Sequence, residues 1–150
     1  MFQRETLKDG SVRLRSPKCS FTYFRLRPGV VLMRIEGDDS GEFGTAPMDE
    51  LREDLNRYAP VEFFVEMLPT AGARLPVQEA WTEWFSQNRA ALKSVSILTR
   101  SKFMYFTAEV VKLFSRTGEL IRVYLEQQPF EEAISRAAPG FTRLPGLHQE

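Results

Sequence analysis

The sequence is poor in the residues that build most metal sites and many active sites. It contains one cysteine, Cys19, and one histidine, His148, in 150 residues. A lone cysteine excludes a disulfide within the chain and the zinc sites that several cysteines form. A lone histidine near the end of the sequence argues against a catalytic triad. We therefore expect neither a metal ion nor another cofactor, and no enzymatic activity.

The sequence also lacks net charge and long apolar runs. Its 20 Lys and Arg residues balance 20 Asp and Glu residues, so no overall field draws it to nucleic acid or to an anionic membrane surface. No window approaches the roughly 18 apolar residues of a membrane-spanning helix, and residues 1–10 lack the apolar core of a signal peptide. We expect a cytoplasmic protein with no nucleic-acid partner and no integral membrane segment.

What is present is a 43% apolar composition, enough for the core of one domain. We predict an N-terminal leader over residues 1–19, with a short edge strand at 12–15, then a domain over 20–138 and a C-terminal tail over 139–150. Alternating and β-branched runs predict further strands over 21–26, 30–35, 61–68, 95–99 and 121–125. Apolar residues at helical spacing predict helices that begin at Thr45 or Asp49, Val77, Phe103 and Pro129.

The order of these elements predicts the fold class. A hairpin is followed by regular alternation of strand and helix, and such alternation builds parallel sheets through right-handed crossovers. We predict an α/β fold with a mostly parallel sheet of about five strands, an N-terminal antiparallel hairpin and about four helices.

This order resembles the STAS domains of bacterial anti-sigma-factor antagonists and the related STAS-like proteins often grouped with CRAL-TRIO lipid carriers. The resemblance covers about residues 20–138, through the hairpin 21–35, the strand 61–68 with its Gly-containing loop, the run 95–99, and the segment 121–133. It implies a SpoIIAA-like fold and a regulatory or scaffolding module that binds a partner protein, of the kind found in bacterial signalling.

The same resemblance draws attention to the loop after strand 61–68. Signalling members of the family carry an Asp-Ser-Ser-Gly motif there, whose second serine is phosphorylated. Here the loop reads Pro69-Thr70-Ala71-Gly72, so the glycine matches and Thr70 is left as the candidate phosphoacceptor. The alternative is that Thr70 only shapes the turn. We predict that Thr70, Gly72 and Arg74 form a partner-binding loop.

Aromatic residues on the helix after this loop are the second candidate. Trp81, Trp84 and Phe85 are close together in the sequence, and large aromatic side chains fill cores and interfaces. We predict that they contribute to an interface, with a homodimer as one candidate partner. Packing in the core alone and a lipid-holding cavity are the alternatives.

Acidic residues raise two further possibilities. The cluster at 38–42 has oxygen ligands for a hard cation, but its spacing does not match a calcium-binding loop and favours a solvated turn. Glu62 and Glu66 share one face of a strand, about 13 Å apart, too far for an acid–base pair on one bond. The alternatives to a binding module are therefore a carrier of a small apolar ligand or lipid and a histidine-independent carboxylate enzyme.

Overall fold

The protein, in a computed structural model that describes residues 1–69, 71–114 and 118–145, is built from strands and helices that alternate after an all-strand start. The strands are β1 (Gln3–Thr6), β2 (Val12–Arg15), β3 (Cys19–Arg27), β4 (Val30–Asp39), β5 (Val61–Met67), β6 (Gly72–Ala73), β7 (Leu92–Thr99) and β8 (Ile121–Tyr124). The helices are α1 (Ala46–Asp49), α2 (Arg52–Tyr58), α3 (Leu75–Gln87), α4 (Lys102–Phe114) and α5 (Gln127–Ala137).

The sheet is mixed, with one antiparallel and one parallel half. Its order is β1-β2-β3-β4-β5-β7-β8, and the short β6 pairs with the end of β4. Strands β1 to β4 run antiparallel, whereas β4, β5, β7 and β8 are parallel. The predicted α/β class is confirmed, but the prediction of a mostly parallel sheet of about five strands is wrong in both strand direction and number.

One of the additional strands, β1, lies within residues 1–19. The strand predicted at 12–15 is β2, and β1 pairs with its outer edge. Strand β1 has polar residues throughout, and ion pairs take the place of apolar alternation: Arg4 Nε lies 2.9 Å from Glu50 Oε1, and Arg13 Nε lies 2.8 Å from Glu5 Oε2. A strand held in this way lacks the apolar period on which the sequence-based prediction depends.

The four helices α1 to α4 cover the first face of the sheet. Tyr23, Met33, Phe63 and Val65 point to this side and are buried. They belong to an apolar cluster that the helices complete with Leu51, Leu55, Phe85, Ala108 and Val111. Successive side chains of a strand point to opposite faces of the sheet. The residues that alternate with these therefore point to the second face.

Helix α5 and the segment after it cover the second face. Leu32, Phe64 and Leu98 form a cluster there with Phe130 and Ile134 of α5. Phe141 and Leu144, in the predicted tail, pack against the same cluster. Because β4, β5 and β7 are covered on both faces, their apolar residues fall on both parities of each strand.

The predicted helices are present with shifted ends. The helix predicted over 77–92 is α3, which ends at Gln87 because a 3-10 turn, Arg89–Ala91, leads into β7. The helix predicted before Pro60 is divided into the single turn α1 and the helix α2. Within the described ranges, no helix combines the length and apolar character needed to cross a membrane.

Candidate functional site

The predicted partner-binding loop is tied to the sheet by backbone pairing. Gly72 lies in β6 opposite Asp38, and the Arg74 amide donates to the Asp39 carbonyl at 3.2 Å. The Arg74 side chain is exposed and immediately precedes α3. Thr70, the candidate phosphoacceptor, lies outside the described residues. The structure therefore places Gly72 and Arg74 together at the start of α3.

The predicted aromatic set spans the boundary between core and surface. Phe85 is 4% exposed and belongs to the core, so its side chain is not available to a partner, contrary to its proposed interface role. Trp81 and Trp84 are partly exposed and pack edge to face with their ring centroids 5.4 Å apart. Trp84 also contacts Phe63 of β5, at 6.0 Å. The two indoles thus pack α3 against the sheet, and part of each ring remains exposed to solvent.

Helices α3 and α4 carry an apolar surface that the sequence did not single out in full. Phe106 and Leu113 on α4 are 67% and 71% exposed, and Leu75 at the start of α3 is 64% exposed. Val110, partly exposed, lies between Phe106 and Leu113 in the helical repeat and borders a groove shared with Leu75. We call these four residues the α3–α4 surface. The sequence feature that could have predicted this surface is the number of apolar residues on α4, which is larger than the number that a single buried face of a helix requires.

An apolar cavity lies beneath this surface. Its volume is about 90 Å³, and it lies between the first face of the sheet and helices α3 and α4. The cavity and the surface groove share Gln78 and Val111. Most of its wall is apolar, with rings and thioethers from Phe21, Met33, Trp81, Phe85 and Met104.

One acidic residue lines the cavity. Strand β4 continues to Asp39, which is 4% exposed. The prediction of a solvated turn at this position is wrong for Asp39, because β6 and α3 pack against the end of β4 and remove it from solvent. Burial raises the pKa of the Asp39 carboxyl above its ordinary value, partly offset by a hydrogen bond from the Gly41 amide.

Two other buried carboxylates are held by arginines. Arg25 Nη2 lies 2.9 Å from Asp54 Oδ2, and Arg34 Nε lies 2.8 Å from Glu66 Oε1. Burial raises the pKa of Glu66, and the charge of Arg34 opposes that rise. These pairings tie α2 to β3 and β5 to β4.

The carboxylates that the sequence placed on one face of β5 have separate partners. Glu62 lies 3.5 Å from Lys93 Nζ, whereas Glu66 pairs with Arg34. Across the part of the chain that is described, no three His, Cys, Asp or Glu residues come together as a metal site. The arrangement favours structural ion pairs over an acid–base pair.

Comparison with known proteins supports the fold. No family model and no curated protein matches the chain. A crystal structure of an uncharacterized protein of the DUF3478 family with a SpoIIAA-like fold, from Shewanella loihica PV-4, does match. The two are 12% identical, the match covers 78% of this chain and 94% of that chain, and the TM-score is 0.56. The chain has a SpoIIAA-like fold, which confirms the resemblance predicted from the sequence.

Proposed function

We propose that the protein is a non-catalytic regulatory or scaffolding module that binds a partner protein through the α3–α4 surface. One observation carries the proposal: Leu75, Phe106 and Leu113 are large apolar side chains that are mostly exposed on two adjacent helices. Single exposed apolar residues are common, but a continuous group marks interaction sites. The SpoIIAA-like fold is compatible with a binding module.

The size of the surface indicates what else the partner must contact. When a partner covers these side chains, each contributes about 1–2 kcal/mol to the free energy of binding, since each is already partly buried. The total of roughly 3–6 kcal/mol is comparable with the lower part of the cost of association, about 4–15 kcal/mol. Additional contacts are therefore required. The loop that contains Gly72 and Arg74 adjoins Leu75 and is placed to supply them.

The absence of catalysis is part of this proposal. Two of the buried carboxylates, Asp54 and Glu66, are bonded to arginines. Each arginine engages its carboxylate in an ion pair within the fold, so the carboxylate is taken up by a structural contact. This pairing supports a binding role over the carboxylate-enzyme alternative.

Affinity capture with matched variants tests the partner surface. We expect the tagged protein to retain a defined partner from its own cells, and the double variant Phe106→Ser/Leu113→Ser to lose it, because the apolar contact is removed. The control is Leu125→Ser, which changes an exposed leucine after β8. Equal retention by all three proteins would contradict the proposal. Sedimentation of the purified protein identifies the case in which the partner is a second copy.

Thr70 extends the proposal to regulation. A phosphate there would add negative charge to the chain four residues before Arg74, within the loop proposed to bind the partner. Intact-mass and peptide mass spectrometry of the natively purified protein test this, since phosphorylation adds a fixed mass to the peptide that contains Thr70.

Carriage of a small apolar ligand is a second candidate function, favoured by the cavity. Its volume of about 90 Å³ is smaller than the ~150 Å³ apolar cavity that takes up benzene in another protein. A lipid chain does not fit this space. Solvent extraction of the purified protein followed by mass spectrometry tests whether a small ligand travels with it.

A further inference from the structure

The groove between α3 and α4 carries acidic side chains beside its apolar ones. Glu79 and Glu83 follow Leu75 at intervals of four residues along α3, and all three side chains are exposed and border the groove. Residues with this spacing form one line on a helix, with successive members about 6 Å apart along its axis. Among the described residues that border the groove, these two glutamates are the charged ones. The groove therefore combines apolar contact with negative charge.

Within the described ranges, no lysine or arginine neutralises these glutamates. Glu83 accepts a hydrogen bond from the Gln87 side chain at 2.9 Å, which leaves its charge in place, and neither Glu79 nor Glu83 forms an ion pair there. Glu53 on α2, in contrast, pairs with Arg57 one turn away at 3.0 Å. Unpaired acids beside a binding surface repel acidic partners and attract basic ones. The charge of the groove thus favours a cationic partner.

The α4 side of the groove is apolar and has the spacing of a helix-binding face. Phe106, Val110 and Leu113 lie at i, i+4 and i+7 on α4, so they share one face of that helix. Small side chains, Thr82 and Ser86, line the groove on α3, and they leave room for a close approach. Because the backbone groups of α3 and α4 are bonded within their own helices, a partner must be recognised through side chains. An amphipathic helix laid into a groove is the peptide form that binds in this way.

We infer that the element recognised by the α3–α4 surface is an amphipathic helix of the partner protein, with basic residues along one flank of its apolar face. Its apolar side chains pack against Phe106, Val110 and Leu113. Lysines or arginines one turn apart on its flank reach Glu79 and Glu83. This inference rests on the proposed binding role of the α3–α4 surface and adds the chemistry of the partner.

Three synthetic peptides test the inference on the full chain. All three share one leucine face in an alanine-rich helix of about 18 residues, and they differ only in the flank positions, which are lysine, glutamine or glutamate. At ~20 mM salt we expect the lysine peptide to bind about threefold or more tightly than the glutamine peptide, the factor expected for two exposed ion pairs. The glutamate peptide is expected to bind most weakly. At ~0.5 M salt the preference is expected to fall below about twofold, because salt screens exposed charges. Fluorescence anisotropy of labelled peptides measures the affinities.

Two double variants with the same change in charge give a matched comparison. Glu79→Gln/Glu83→Gln is expected to reduce the preference for lysine over glutamine to less than about twofold and to leave affinity for the glutamine peptide unchanged. The control, Glu126→Gln/Glu132→Gln, removes two exposed acids at the start of α5 and on it, and it is expected to keep the preference. A preference that persists in Glu79→Gln/Glu83→Gln would overturn the inference, as would the absence of binding by any peptide.

The variant Phe106→Ser/Leu113→Ser separates this inference from the proposed function. We expect it to weaken binding of the lysine and glutamine peptides alike, because it removes the apolar contact. Equal affinity of the unaltered protein for these two peptides, with loss of both in this variant, would overturn the basic partner and leave the α3–α4 surface as a binding site. A dimer in sedimentation that this variant dissociates would also overturn the inference, since a second copy would then occupy the surface.

Discussion

At the residue scale, a glycine in β4 determines how this strand reaches the cavity. Gly37 pairs with Cys19 and has a φ of +89°. A Cβ atom at this position would lie 2.0 Å from the carbonyl oxygen of Lys18. The next residue, Asp38, donates its amide to that same oxygen at 2.9 Å. Only glycine permits this close approach, which directs the end of β4, and therefore Asp39, toward the cavity.

Substitution of Gly37 measures the energetic contribution of this contact. We expect Gly37→Ala to lower the free energy of unfolding by about 3 kcal/mol or more, because a backbone atom blocks the methyl group and φ is unfavourable. Gly10→Ala is the control: its φ is +88° but a Cβ there meets nothing within 4 Å. It is expected to cost about 1 kcal/mol. Urea unfolding of both variants provides the comparison, and equal losses would show that the contact with Lys18 is unimportant.

At the scale of elements, a buried ion pair joins two parallel strands to the C-terminal segment. Arg34 of β4 lies opposite Glu66 of β5 in the sheet register, on the face covered by α5. Arg34 also donates to the Pro145 carbonyl and lies 5.6 Å from the ring centroid of Phe24. Since the same arginine contacts the sheet and the segment after α5, the pair fixes where that segment lies.

Breaking this pair is expected to cost more than replacing it. Glu66→Leu leaves Arg34 buried without this carboxylate and is predicted to destabilise the protein by about 3–5 kcal/mol. The double variant Arg34→Met/Glu66→Leu is predicted to lose less than Glu66→Leu alone, because an apolar pair needs no charge compensation. Urea unfolding of the two single variants and the double variant completes the cycle. Additive losses would mean that the two side chains are not coupled.

At the scale of the whole molecule, the two halves of the sheet are held together differently. The parallel strands β5 and β7 lie between helices on both faces, and their apolar residues are buried. The outer strand β1 is short, largely exposed and fastened by ion pairs. Because exposed ion pairs contribute little, stability is concentrated toward β5 and β7, beside the cavity and α3.

Hydrogen exchange under native conditions tests this distribution. We expect amides in the middle of β5 and β7 to exchange only through global unfolding, and amides of β1 to exchange through local opening at a much lower free energy. Mass-spectrometric or NMR detection distinguishes the two groups. Protection of β1 equal to that of β5 would contradict the expected difference.

The sequence was sufficient to predict elements whose apolar period is local. Strands β4, β5, β7 and β8 and helices α3, α4 and α5 each carry their pattern within a short window, and the STAS-like fold was predicted from their order. The additional strand β1 was not predicted, because its partners, such as Glu50 for Arg4, are distant in the sequence and replace apolar alternation with charge.

For the candidate site, the sequence predicted roles for the aromatic residues of α3 and for the loop that contains Gly72 and Arg74, but it did not predict their surroundings. Periodicity shows that a side chain lies on one side of an element and does not show what lies opposite. Only the tertiary structure buried Phe85, exposed Phe106 and enclosed Asp39, because each outcome depends on packing between segments that are far apart in the chain. The local pattern thus determined the type and order of the elements, and nonlocal packing decided which polar and apolar groups face solvent, each other or the cavity.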